Sequence, residues 1–316
     1  MTRQACGTPD FDAAGLSARD TREGPQHMNR SVGTRLTPYV MMAPFLVLFS
    51  TFFVFPIGYA FYMSLFSQRG ARRVFVGFSN YERALQDGLF FGSLKTVLLF
   101  GVIQITIMIS LALMFALVLD TGLLSARAKK MVRITYFLPY AIPGVVSSLM
   151  WGYIYAPTIG PLRQLFEFLG IAPVNFLASD RLLSAIINMV TWQWTGYNMV
   201  ILTAALTTIS PELYDAARID GASDLRIAWT IKIPLIRPMI VFVTVLSIIG
   251  SFQLFNEPFV LAAMTSVPFN YTPNLYIYAT AFSRGAFTYA ATLAFILASI
   301  IALFSAIFMR ITREGQ

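Results

Sequence analysis

The chain has 316 residues, of which 57% are hydrophobic and only 12% charged, with 23 basic and 15 acidic residues, one histidine and one cysteine. Soluble domains sit near about 25% charged, so this composition excludes a water-soluble fold, and the near absence of His and Cys excludes a disulfide framework, Cys- or His-ligated metal sites and histidine-based triads. The net charge of +8 does not mark a nucleic-acid surface, because the basic residues stand at the ends of apolar runs and form no aromatic-interleaved patch.

In chain order, residues 1–37 read as a cytoplasmic, disordered tail rich in Gly, Pro, Ser and charge; it holds Cys6 and His27 and has no cleavable apolar core. No apolar stretch precedes Cys6, so it is not read as a lipid anchor. Six uncharged runs follow, Leu36–Gln68, Thr96–Leu119, Ile134–Leu162, Leu182–Pro211, Pro238–Asn256 and Gly285–Met309, each long enough for a helix to cross the hydrocarbon core, which takes about 20 residues. A seventh run, Pro258–Ser283, carries Pro268, Asn270, Pro273 and Asn274 in its middle; these would leave backbone groups unpaired in lipid, so it is expected to form a structured outside loop. The fold class is therefore all-α, a polytopic membrane protein with six transmembrane helices. Its membrane domain spans 38–310, residues 311–316 form a cytoplasmic tail, and a cytoplasmic loop covers 209–237.

Lys and Arg placement sets the orientation. With both termini inside, the cytoplasmic segments hold 15 basic residues and the outside segments 8. Arg69, Arg72 and Arg73 in the first outside loop run against the rule. The chain contains no G-x-x-x-x-G-K-[ST] phosphate loop, so any nucleotide energy must come through another chain.

The loop between the fourth and fifth runs reads "SPELYDAARIDGASDLRIAWTIKIP". Ser210 offers a cap, Pro211 suits the first helical position and Glu212 faces the positive dipole end, so a helix should run to about Ile219. Asp220-Gly221 should break it. Ser223 should cap a second short helix to about Thr230, with Pro234 and Pro238 ending the segment before the fifth span. Leu213, Ala216, Ala217 and Asp220 share one helical face, centred on two small residues that let another surface approach, while Tyr214, Asp215 and Arg218 form the adjacent stripe.

This segment resembles the cytoplasmic loop of permease subunits of binding-protein-dependent ABC importers, whose pattern is Glu-Ala-Ala, three residues, Gly, nine residues, Ile-x-Leu-Pro. Asp215-Ala216-Ala217, Gly221 and Ile231-Lys232-Ile233-Pro234 keep every spacing, with Asp215 in place of Glu and Ile233 in place of Leu. "TPYVMMAPFLVLFSTFFVFPIGYAFYMSLF", "FVGFSNYERAL" and "GSFQLFNEPFVL" further resemble the carbohydrate-transporting, maltose-type members, so the resemblance covers roughly Pro38 to Arg310. It implies a coupling helix-turn-helix between spans four and five that docks into a groove of a separate ATPase through Asp215, Ala216, Ala217 and Gly221, with Tyr214 and Arg218 beside them. It also implies an ATPase dimer that binds ATP and Mg, a second related permease, an extracytoplasmic solute-binding protein, a di- or oligosaccharide, polyol or related sugar as substrate, and the cytoplasmic membrane of a bacterium or archaeon. No cofactor and no catalytic residue is assigned to the chain itself.

Within the spans, Glu257 is the one acid well inside an apolar run, beside Gln253 and Asn256, and Pro258 frees a backbone carbonyl there; such features mark polar paths through membranes. "NMVTWQWTGYNMV" places Gln193 and Tyr197 on one face with Trp194 adjacent and Asn198 on the next. Aromatic faces stack on sugar C–H surfaces and amides bond hydroxyls, so Gln193, Trp194, Tyr197, Gln253, Asn256 and Glu257 are the expected substrate-path residues. The rival readings are an ion-coupled secondary transporter, for which paired broken helices and several intramembrane charges are expected, and a membrane-bound enzyme, for which the His and Cys chemistry is missing.

Overall fold

A computed structural model of the chain describes residues 32–69, 72–121 and 124–313. Residues 1–31 of the expected tail, with Cys6 and His27, lie outside these, as do residues 314–316. The described residues up to Pro56 and those from Ile57 onward form two separate units.

In the first unit, α1 (Val32–Phe49) leads through a π-helical turn, Ser50–Val54, into the start of α2 (Phe55–Ser64). Helix thus begins ahead of the expected tail boundary at residue 37. Every side chain described from Tyr39 to Pro56 is exposed. Phe45, Phe49 and Phe53 stack in series with centroids 5.8 and 5.6 Å apart, the i, i+4 neighbours of one helical face. A helix apolar on all sides suits lipid rather than water.

In the second unit, a short antiparallel hairpin follows α2, β1 (Phe66–Arg69) on β2 (Arg72–Phe75), with Phe66 opposite Phe75. This departs from the all-helical expectation, because a four-residue alternation leaves almost no periodic signal. Then α3 (Ser79–Leu85) is tied down by Asn80, whose amide donates to the carbonyls of Ser64 and Phe66 at 2.9 and 2.7 Å. The next helix, α4 (Gly88–Asp120), is 33 residues long and is capped by the Asp87 carboxylate, which accepts from the amides of Leu89 and Phe90.

The third apolar run is broken. α5 (Ala126–Phe137) and a 3-10 turn, Leu138–Ala141, meet α6 (Gly144–Ile154) at a bend of 100°. Pro139 and Pro143 each lack the N–H a continuous helix would need there, so the run Ile134–Leu162, expected as one span, is bent rather than straight. After α7 (Pro161–Phe168) comes α8 (Leu182–Leu206), the central helix, with 15 of its 25 residues buried.

α9 (Pro211–Ile219), α10 (Asp224–Ile227), a π-helical turn (Ala228–Lys232) and α11 (Ile233–Phe252) follow. From Asp224 to Phe252 the chain is one helical rod, so Pro234 and Pro238 do not end the segment as expected. The reason lies in the π turn: Ile233 donates to the Ala228 carbonyl five residues back, and Pro234 enters in the first turn of α11, where its missing N–H costs least. Pro238 sits inside α11. The rod then breaks at 253–255 before α12 (Asn256–Leu261). α13 (Pro273–Tyr278), a π turn (Ala279–Ser283) and α14 (Phe287–Arg313) follow, so Pro258–Ser283 is a structured segment of short helical pieces rather than a further long helix.

Among the described residues four helical stretches are long and apolar enough to span a membrane: Tyr39–Ser64, Gly88–Asp120, Asp224–Leu261 and Phe287–Thr312. The bent pair Ala126–Ala141 and Gly144–Ile154 makes a fifth if counted as one broken span. α8 falls short of the same apolar measure because Trp192–Asn198 dilutes it.

Two clusters of buried side chains hold the second unit together. One centres on Phe90, Phe100, Ile186, Met189, Leu261 and Leu293, the other on Ala112, Ala116, Met199, Leu202, Ile236 and Val243. Lipid provides no hydrophobic drive between helices, so close backbone approach must substitute for it. Ala112 and Ala116, four apart on α4 and both 0% exposed, provide that approach on one face. Gly196 does so against α5: a Cβ there would stand 1.7 Å from the Tyr136 carbonyl oxygen.

Candidate functional site

The rod breaks at Gln253–Phe255 because Pro258 cannot donate to the Leu254 carbonyl one turn back. Gln253 and Leu254 fall back on i−3 bonds to Gly250 and Ser251, and the Phe252 carbonyl at the end of α11 accepts instead from the side-chain amide of Asn274 at 3.0 Å. The break turns Gln253, Asn256 and Glu257 toward α8.

A cavity of about 330 Å³ lies between the two elements, and all six residues expected on a substrate path line it: Gln193, Trp194, Tyr197, Gln253, Asn256 and Glu257. Asn198, expected on the next face, lines it too, because α8 presents residues one and five positions after Gln193 to a cavity wider than a single helical stripe. The amide of Asn198 donates back to the Trp194 carbonyl at 3.1 Å. Gln193 is fixed by donating to the Ile142 carbonyl at 2.9 Å, a group freed by the α5–α6 bend. Glu257 is 9% exposed, while Gln253 and Asn256 are exposed to the cavity mouth.

Against the aromatic wall packs a ring that sequence reasoning missed. Tyr140, in the 3-10 turn, stacks on Tyr197 at 4.6 Å and meets Trp194 edge-on at 5.3 Å, so these rings hold one another in place. Gln104 of α4 also lines the cavity. Its only signal in sequence was a lone amide in an apolar run. By contrast Asn188 lines a second, more open pocket between α4 and α8.

At the other end of the rod stands the loop. Pro211 opens α9, but the Ser210 hydroxyl makes no cap bond, contrary to expectation. Gly221 has φ +80°. There the Ala222 N–H reaches the Ala217 carbonyl at 2.9 Å and the Gly221 N–H that of Arg218 at 3.0 Å, the paired closure of a left-handed helix end. Ser223 then caps α10 by accepting from the Arg226 amide. Arg218 spans the turn, reaching Asp215 at 3.4 Å and Asp224 at 3.3 Å.

Asp215 and Ala216 are exposed and Ala217 is half-buried. Leu213, Ile219, Leu225 and Trp229 stand exposed around them, an apolar rim unusual on a water-facing loop. Tyr214 is turned inward. Its ring lies 4.8 Å from the Lys232 ammonium and its hydroxyl is buried with no hydrogen-bond partner among the described residues. Burial first, and then the Asp120 charge, push the Tyr214 hydroxyl above its ordinary range. Lys232 in turn pairs with Asp120 at the end of α4, 2.5 Å away, which joins loop, rod and α4 at one point. That ion pair was not anticipated, since its members lie 112 positions apart.

Residues 121–313 match the family model described as binding-protein-dependent transport system inner membrane component. The chain is 32% identical to the lactose transport system permease protein of Rhizobium radiobacter over 284 residues, covering 88% of this chain and 94% of that one. It is 30% identical to the sn-glycerol-3-phosphate transport system permease protein of Agrobacterium fabrum, over 69% of this chain and 74% of that one. In fold it is similar to a chain of a bacterial alginate ABC transporter solved in complex with an alginate pentasaccharide-bound periplasmic protein. There the TM-score is 0.79 at 19% identity, covering 90% of this chain and 96% of that one.

Proposed function

The chain belongs to the family of binding-protein-dependent transport system inner membrane components, and we propose that it is the permease subunit of an ATP-driven importer that moves a sugar across the cytoplasmic membrane of a bacterium or archaeon. It is not an enzyme; ATP and Mg bind to a separate ATPase dimer, and a second, related permease completes the pore. An external solute-binding protein delivers the substrate, in keeping with the family's description and with the periplasmic partner of the alginate transporter. The relatives' names range over lactose, sn-glycerol-3-phosphate and alginate, so the substrate is placed in the class of carbohydrates and related polyols.

In this reading the membrane domain, 38–310, has six spans: the helix over 39–64, α4, the bent α5–α6 pair, α8, the rod with α12, and α14. Residues 1–37 and 311–316 are cytoplasmic tails. The loop 209–237 is the coupling helix-turn-helix, docking through Asp215, Ala216, Ala217 and Gly221. Arg218 braces the turn, and Tyr214 anchors the loop from beneath. One observation carries this: the rod begins three residues after Gly221 and ends at the break that places Gln253, Asn256 and Glu257 on the cavity. Its 29 residues make about 43 Å of helix, a stiff link from the docking loop to the polar cavity. Closure of the ATPase dimer would then swing the rod between two states that open the cavity to opposite sides.

The test is uptake of labelled sugar into proteoliposomes holding both permeases, the ATPase and the binding protein. Omitting the ATPase is expected to abolish uptake; uptake that continues on an ion gradient would point to a secondary carrier instead.

A further inference from the structure

Glu257 is the only ionisable side chain apart from Tyr197 among the described residues that line the cavity, and no Lys or Arg is among them. Around it stand Gln104, Gln193, Asn198, Gln253 and Asn256, all uncharged donors and acceptors. We propose that this chain's half of the path accepts uncharged sugars and rejects anionic ones, whether acidic sugars or phosphorylated polyols. The inference rests on the reading of the cavity as part of the sugar path, and it settles a choice that likeness leaves open, since charged and uncharged solutes both occur among the relatives.

A carboxylate is an acceptor only, and it suits paired hydroxyls, each of which donates one proton. A second carboxylate or a phosphate brings no proton to share. It also brings a like charge into a site walled by apolar helices, where a separation of a few ångströms disfavours it by at least about tenfold at the effective dielectric of a partly buried site. A path built for anions would need Arg or Lys forks at this point. The five amides cannot stand in for them, because each carries an acceptor oxygen beside its donor. Trp194 and Tyr197 add faces for sugar C–H surfaces and have no preference for negative charge.

The experiment measures equilibrium binding of radiolabelled lactose, digalacturonate and sn-glycerol-3-phosphate to the full chain in lipid nanodiscs. Lactose is expected to bind at least about tenfold more tightly than either anion. Glu257→Gln is expected to shrink that ratio by about tenfold, with lactose itself weakened. Gln253→Lys, at an exposed position that tolerates a long side chain, is expected to admit digalacturonate and guards against a misfolded Glu257 variant. Digalacturonate binding as tightly as lactose to the unmodified chain overturns the charge selection and leaves the permease reading intact.

Discussion

The Lys232–Asp120 pair offers the sharpest energetic prediction. Their side chains are 10% and 16% exposed, so the pair is largely out of water, and the same ammonium lies over the Tyr214 ring at 4.8 Å. Lys232→Met removes the positive partner and leaves a nearly buried carboxylate alone, which costs 3–5 kcal/mol in fully buried pairs. Residual exposure of both groups puts the expectation at about 3 kcal/mol. Replacing both, Lys232→Met with Asp120→Leu, removes the stranded charge and should return most of that loss, because a buried pair exchanged for apolar groups is often nearly neutral. The assay is reversible unfolding in mixed micelles titrated with denaturing detergent, run as a double-mutant cycle. A coupling energy of about 2 kcal/mol is expected. A single variant within about 0.5 kcal/mol of the parent, or an additive cycle, would refute the claim that this pair joins the loop to α4 and the rod.

Three further outcomes follow from other parts of the structure. Asp87 accepts hydrogen bonds from Tyr276 at 2.7 Å and Tyr289 at 2.8 Å as well as from its two amides; burial works to raise its carboxyl, but these bonds hold it below its ordinary value of 3.8. A depressed folded-state value stabilises above the unfolded one and is lost as pH falls through the folded one. Asp87→Asn should therefore cost about 2 kcal/mol at pH 7, and melting curves should show the parent's advantage shrinking below pH 3.8. Gly196→Ala places a Cβ 1.7 Å from a backbone oxygen and should cost about 3 kcal/mol by forcing α5 from α8, seen as lost thermal stability in nanodiscs. Trp194→Ala removes an exposed ring of the cavity wall and should raise the apparent KM for sugar uptake by up to about tenfold while leaving insertion unchanged.

Much of the cavity could be read along the chain because its signals are local. Pro258 announces the break, Glu257 stands out as an acid in an apolar run, and Gln193, Trp194 and Tyr197 fall within five residues. Tyr140 and Gln104 were not readable, since the packing of Tyr140 on Trp194 and Tyr197 depends on the α5–α6 bend, and the place of Gln104 at the cavity on how α4 crosses α8. The loop was likewise legible at Gly221 and Ser223, whose roles are short-range. The prolines misled: Pro234 and Pro238 argue for a stop in any local account, yet the widened turn at Ala228–Lys232 lets helix continue through Pro234, and Pro238 sits inside α11. Asp120 and Lys232 gave no hint of each other, because sequence shows charges but not which distant ones meet.

The claim on which the account turns is that the Asp215–Gly221 turn is gripped by a separate ATPase. An added Cβ at Gly221 meets nothing within 4 Å, so a substitution there strains the backbone at φ +80° without a clash. The cost is about 1–2 kcal/mol for residues other than Gly or Asn. Substrate-stimulated ATP hydrolysis by the reconstituted transporter measures the consequence. Gly221→Val is expected to drop it to the unstimulated rate, while Gly221→Asn, which tolerates the left-handed conformation, retains most of it. Full stimulation in the valine variant, with the complex assembled, would contradict the account.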